Sequence, residues 1–218
     1  MAIAGNEFRY VIANAWPNFA ARFNWATSRC ERNPLGVSVL PDQPLQWTGE
    51  ITMQDDFVAL FAYDRWANTK VFDACRKLTA EQYVAEPVPG WSSVRSTVSH
   101  IALATEFNLR SLASDPDDRI PTEAELATVD DVAQLLERSY RRFEELRPTL
   151  TPERLNTVLT FRAVGRTFTL PRWAILRHIV NHSSYHRGQI ASKLKRFGIE
   201  QSITDFFWWV IEQIPQEK

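Results

Sequence analysis

Cysteine is scarce in this chain of 218 residues: Cys30 and Cys75 are the only two. Two thiols cannot build a disulfide framework, and theirs is not a metal-binding spacing. A reduced, cytoplasmic setting is the simpler expectation. A charge excess of either sign is also lacking. With 25 Lys and Arg against 26 Asp and Glu, the net charge is −1. That supplies no pull toward nucleic acid or an anionic membrane, so neither is expected as a partner. No apolar run approaches the ~20 residues that a membrane-spanning helix needs. The opening MAIAGNEFRYVIANAWPNF has no basic stretch leading into an apolar core, as a secretory signal would. Methionine is rare too, with only Met1 and Met53.

What remains is an ordinary soluble composition, 44% hydrophobic and 23% charged, with enough chain for one domain and an extension. Eight tryptophans and thirteen phenylalanines are a heavy aromatic load, expected mostly in the core. The run Phe206-Phe207-Trp208-Trp209 is expected to serve packing or a homodimer contact rather than a ligand box.

Residues 1–52 carry Pro17, Pro34, Pro41 and Pro44 and scattered Trp16, Trp25 and Trp47, with no clean period. They read as an irregular extension, or as the product of a start codon placed upstream of Met53. The alternative is a short helix around 8–29 packed on the domain. From 53 to 218 the chain reads as one domain. Phe57, Leu60, Phe61, Trp66, Val71, Phe72 and Leu78 recur near helical spacing, predicting a helix over 55–78 with Asp55 and Asp56 in its first turn. Ser92 and Ser93 offer an N-cap for a second helix over 93–114. A third spans 130–147 and stops at Pro148. Residues 155–170 alternate around Gly165, predicting a β-hairpin or extended excursion. A fourth helix runs over 171–197, with Pro171 at N1 and Gly198 at C′. A short helix over 204–213 ends the chain. The fold class is therefore all-α, a four-helix bundle with one extended excursion.

Three of the four histidines fall in HIVNHSSYH, at His178, His182 and His186. Residues four apart share a helix face, ~6 Å apart along the axis, so neighbours in this series can converge on one ion. His178 and His186, ~12 Å apart, cannot. Either His178/His182 or His182/His186 can bind, and a third ligand must come from elsewhere. The remaining histidine is His100, set among Ile101, Leu103 and Phe107 and expected to face the interior. Bundles build metal sites from inward residues on facing helices. Three neutral histidines with an open position make a catalytic type of site. The plain alternative is a structural histidine cluster that binds no metal.

The run HIVNHSSYHRGQIASKLKRFG (178–198) resembles the DinB/YfiT superfamily, whose last bundle helix carries an H-x3-H-R-G-Q signature. FAYDRWANTKVFDAC (61–75) is similar to the family's first helix, with its Y-x-x-W-A-N pattern. STVSHIALATEF (96–107) is similar to its second, and TFRAVGRTFTLPRW (160–173) to its excursion. The match covers about 53–212. The resemblance implies a four-helix bundle with a divalent metal, zinc or nickel, held by His100, His182 and His186. It places His178 outside the ligand set, packed beside the site or bonded to a ligand. It implies no polymerase activity. In the same signature, Arg187 is expected to pair with a carboxylate between helices or subunits, Gly188 to permit a close helix approach, and Gln189 to orient a ligand, water or substrate. Lys193, Lys195 and Arg196 are expected to answer the helix dipole at its last turn.

Such an ion lowers the pKa of bound water or thiol. Metal-assisted hydrolysis and transfer of a low-molecular-weight thiol to a small-molecule electrophile both follow. Because wider members of the superfamily are similar to thiol-dependent S-transferases and isomerases, the resemblance favours thiol transfer. Asp64, Asp73 and Glu106 are base candidates by position alone, and Glu106 sits about 240° round the helix from His100. The alternative is a non-catalytic metal-binding stress-response protein.

Overall fold

The computed structural model describes residues 52–114, 119–163 and 165–213. The expected extension over 1–52 lies outside them, apart from Thr52.

Helix starts follow side-chain caps. Thr52 opens α1 (Met53–Cys75) with a reciprocal capping box: its Oγ1 accepts from Asp55 N at 3.2 Å, and Asp55 Oδ2 accepts from Thr52 N at 3.1 Å. Thr79 opens α2 (Ala80–Val84) in the same way with Gln82. This second box explains why the expected helix over 55–78 stops at Cys75: Thr79 is extended, and a new N-terminus begins there. Ser93 caps α3 (Val94–Ala113), and Thr128 caps α4 (Val129–Leu146) with Asp131. Thr151 and Pro152 begin α5 (Pro152–Asn156), a short helix that the sequence reading passed over.

The expected excursion is an antiparallel hairpin, β1 (Val158–Ala163) and β2 (Arg166–Pro171), paired from Val158↔Pro171 to Ala163↔Arg166. Gly165 takes φ 74° in its turn, a conformation that costs glycine little. Pro171 ends β2 and is the N-cap of α6 (Arg172–Arg196) rather than its first residue. Gly198, at φ 74°, lies just beyond the C-terminus as expected. α7 (Phe206–Gln213) closes the described chain.

The four long helices form a ring: α3 packs on α4 and α6, and α1 on α6 and α4. Phe57, Ile101, Leu109, Leu135, Phe143 and Leu176 are among the side chains buried between them, each contributing roughly 1.5–3 kcal/mol. Phe61 and Phe143 stack with centroids 3.8 Å apart. Trp209 seats α7 against Tyr63, with ring centroids 6.1 Å apart, and Trp66 Nε1 donates to Glu212 at 2.9 Å. Phe206 and Phe207 face out. Among the described residues, no helix is long and apolar enough to cross a membrane.

Candidate metal site

α6 carries His182 and His186 one turn apart, and α3 brings His100 to them. The Nε2 atoms of His100 and His182 are 3.0 Å apart, and those of His186 and His182 are 3.1 Å apart. Ligand atoms of all three residues lie within 4.8 Å of one another. His178 stands beside His182, with ring centroids 5.2 Å apart, and is outside the cluster. Of the two pairs the spacing permits, α3 therefore meets His182/His186.

His100 does not face the interior. It is exposed, whereas Val98 and Ile101 are buried. One residue is ~100° of helix rotation, which carries His100 off the core face. The cluster thus sits on the solvent side of the α3–α6 seam.

Its hydrogen bonding fits a cation. His186 Nδ1 donates to Gln189 Oε1 at 2.7 Å, which fixes the tautomer and leaves Nε2 bare. A proton on His182 Nε2 can serve His186, but then that nitrogen cannot accept from His100. Without it, two lone pairs face each other across the 3.1 Å contact. One cation satisfies both edges at once. Metal–nitrogen bonds of about 2.0–2.1 Å put neighbouring ligand nitrogens roughly 2.9–3.4 Å apart in octahedral or tetrahedral geometry. The two spacings at His182, 3.0 and 3.1 Å, fall in that range.

Two of the rings are biased toward the neutral form, His182 and His100. Burial, helped by His186, His100 and His178, brings the His182 pKa down to about 4. Burial and then His186 lower that of His100. A pocket of about 190 Å³ opens on His100 and His186, with Ser92, Ser96, Thr97 and Glu123 among its polar wall. Nothing in the sequence marked Glu123 as a site residue. Its short 3-10 turn, Glu123–Glu125, brings it to the pocket.

The three base candidates are engaged elsewhere. Asp73 is bound to Arg76 at 2.8 Å. Glu106 accepts from Ser139 at 2.7 Å and Arg142 at 3.1 Å. Asp64 is fully buried and accepts from Arg187 Nη1 at 2.5 Å, Tyr140 Oη at 2.9 Å and Asn68 Nδ2 at 3.0 Å. Arg187 Nη2 donates to Tyr63 Oη at 3.0 Å and Ser184 Oγ at 2.7 Å, and Tyr63 donates to Thr204 O at 2.8 Å. Arg187 therefore does pair with a carboxylate between helices. Burial is the largest single influence and would lower its pKa, but Asp64, Tyr63 and Tyr140 together raise it. The Y-x-x-W-A-N and H-R-G-Q segments meet in this network, through Tyr63 and Asn68 on one side and Arg187 on the other.

Besides that for His100, one more expectation fails. Gly188 permits no close approach: a Cβ there would meet nothing within 4 Å, and nothing in the structure explains the glycine. Lys193 does lie in the last turn of α6, as expected, but it is not solvated. It is 4% exposed and points to the start of α3.

A family model described as the DinB family matches residues 53–217. A relative named Protein DinB, from Bacillus subtilis (strain 168), is 24% identical over 168 residues, covering 71% of this chain and 93% of the relative. A solved DinB-like protein from Bacillus cereus superposes with a TM-score of 0.55 at 21% identity, covering 67% of this chain and 94% of that one. At that identity the likeness is one of fold.

Proposed function

We infer, from the premise that this chain belongs to the DinB family, that His100, His182 and His186 hold one divalent ion, zinc or nickel, in a metal-dependent enzyme. Transfer of a low-molecular-weight thiol to a small electrophile is the reaction we favour, with hydrolysis as the related chemistry. A divalent ion so held supplies a water or thiol nucleophile near neutral pH.

The observation that carries the reading is the open pocket beside the cluster. A metal-storage or stress-response role without turnover fits a cluster sealed by side chains; an accessible polar pocket favours a small substrate. The chain's own residues set the site up. Gln189 fixes the tautomer of His186, burial keeps His182 unprotonated, and exposed His100 completes the set from the facing helix. Cys75 is a poor nucleophile, since it is buried and burial pushes its thiol up to about 12. Among the described residues no other thiol is present, and a thiol supplied from outside agrees with a reduced cytoplasmic setting. Exposed Phe206 and Phe207 support a homodimer.

The test is a rate measurement. Metal-loaded protein is mixed with a low-molecular-weight thiol and an aryl halide, and loss of thiol is followed. Turnover that disappears in His182→Ala is expected. A rate no faster than the protein-free mixture, for thiol transfer and for ester hydrolysis alike, would return the protein to the non-catalytic reading.

A further inference from the structure

We propose that the pocket beside the histidines recognises a carboxylate on the substrate, with Ser92 as the direct donor and Lys193 as the charge behind it. The inference rests on the metal-site reading above and adds the class of molecule that reaches the site.

Lys193 lies seven residues after His186 and four after Gln189, on the same face of α6. Its ammonium is buried and donates to Ser92 Oγ at 2.8 Å, to Ser93 O at 3.4 Å and to Thr97 Oγ1. All three acceptors are neutral. Among the described residues, no carboxylate forms an ion pair with it. Lysine is seldom buried without a partner charge, because desolvation of an unpaired ammonium is costly. The surroundings add to the cost. Ser92, Ser93 and Thr97 lie at the start of α3, the positive end of its dipole. Lys195 and Arg196, by contrast, are exposed at the end of α6, where the dipole favours cations. An anion arriving from outside would offset what the described residues leave uncompensated at Lys193.

The hydroxyls show where it would bind. Ser92 and Thr97 both line the pocket. Thr97 gives its proton to Ser93 O at 3.0 Å. Ser92 accepts from Lys193, and among the described residues the only neighbour for its own proton is Thr97 Oγ1 at 3.4 Å, long for a bond between hydroxyls. Its O–H is free to turn into the pocket, and an ammonium behind it makes it a stronger donor. Glu123 lines the same pocket, where it accepts from Ser96 Oγ at 3.2 Å. Its charge opposes a dianion such as phosphate and confines a single negative charge to the Ser92 side. A pocket of about 190 Å³ fits a small monoanion whose other end reaches the histidines.

The experiment uses the full chain loaded with cobalt(II), read by visible absorption and titrated with 3-mercaptopropionate and with 2-mercaptoethanol. The wild type is expected to bind the carboxylate thiol about ten-fold or more tightly, the scale of a hydrogen bond to a charged group. In Lys193→Met and in Ser92→Ala, the ratio of the two affinities is expected to fall to near one. The serine variant carries the test if loss of Lys193 disturbs folding. Equal affinities in cobalt-loaded wild type overturn the carboxylate inference and leave the metal reading standing. So does a preference that survives in both variants, since the carboxylate would then be held elsewhere. Failure to bind cobalt overturns both.

Discussion

Arg187 reaches Asp64 at 2.5 Å across the bundle with both side chains buried, while its neighbour His186 faces the pocket. One turn of α6 therefore carries the outward ligand candidate and the inward anchor. Because consecutive residues are ~100° apart, fixing Arg187 fixes the rotation of the helix and so the aim of His186.

Removing Asp64 leaves a buried guanidinium unpaired. Asp64→Ala is expected to cost about 3–5 kcal/mol of stability, read as a lower urea midpoint. Asp64→Leu combined with Arg187→Met is expected to recover most of it. A cost below about 1 kcal/mol for the single variant would mean that the pair does not anchor the helix.

The ligand set predicts an order of damage. His182→Ala and His186→Ala are each expected to abolish tight metal binding in a chelator competition, and His178→Ala to weaken it only in part. If His178→Ala were the most damaging of the three, the assignment would be wrong.

Gln189 holds His186 from behind. Gln189→Ala is expected to weaken metal binding about 10–100-fold, the usual effect of losing a partner that orients a ligand, with little change in the metal-free melting temperature. Unchanged affinity would remove Gln189 from the site.

Acid is expected to act through His182. Its folded pKa of about 4 lies below the ordinary value of 6.5, so below pH 6.5 the unfolded chain takes up the proton first. The neutral ring costs the fold nothing above about 6.5, and stability of the metal-free protein falls as pH drops from there toward 4. Metal binding weakens in the same direction because protons compete for the nitrogens. Melting curves between pH 7.5 and 4.5 check this. His182→Ala should flatten the profile, and an unchanged slope would assign the effect to other groups.

Much of the fold was legible because it is locally encoded. Apolar periods placed the four long helices, Ser93 marked the start of α3, and Gly165 marked the hairpin. The two short helices were missed, although Thr79 with Gln82 and Thr151 with Pro152 were their start signals. The site was legible in part. Spacing allowed two histidine pairs, and only the approach of α3 to α6 selects between them. The exposure of His100 depends on one step of helix rotation, finer than its apolar neighbours reveal. Polar residues on an apolar face were the overlooked signal: Asp64 and Asn68 fall among Phe57, Phe61 and Val71, as Arg187 falls among Ile179 and Ile190. Lys193 gave no such sign, because a lysine near a helix end is usually solvated.

The most direct test is elemental analysis of purified full-length protein, wild type beside His100→Ala. About one zinc or nickel per chain in the wild type, lost in the variant, is the predicted result. No metal in the wild type after incubation with either ion, or an equal content in His100→Ala, would contradict a site shared between the two helices.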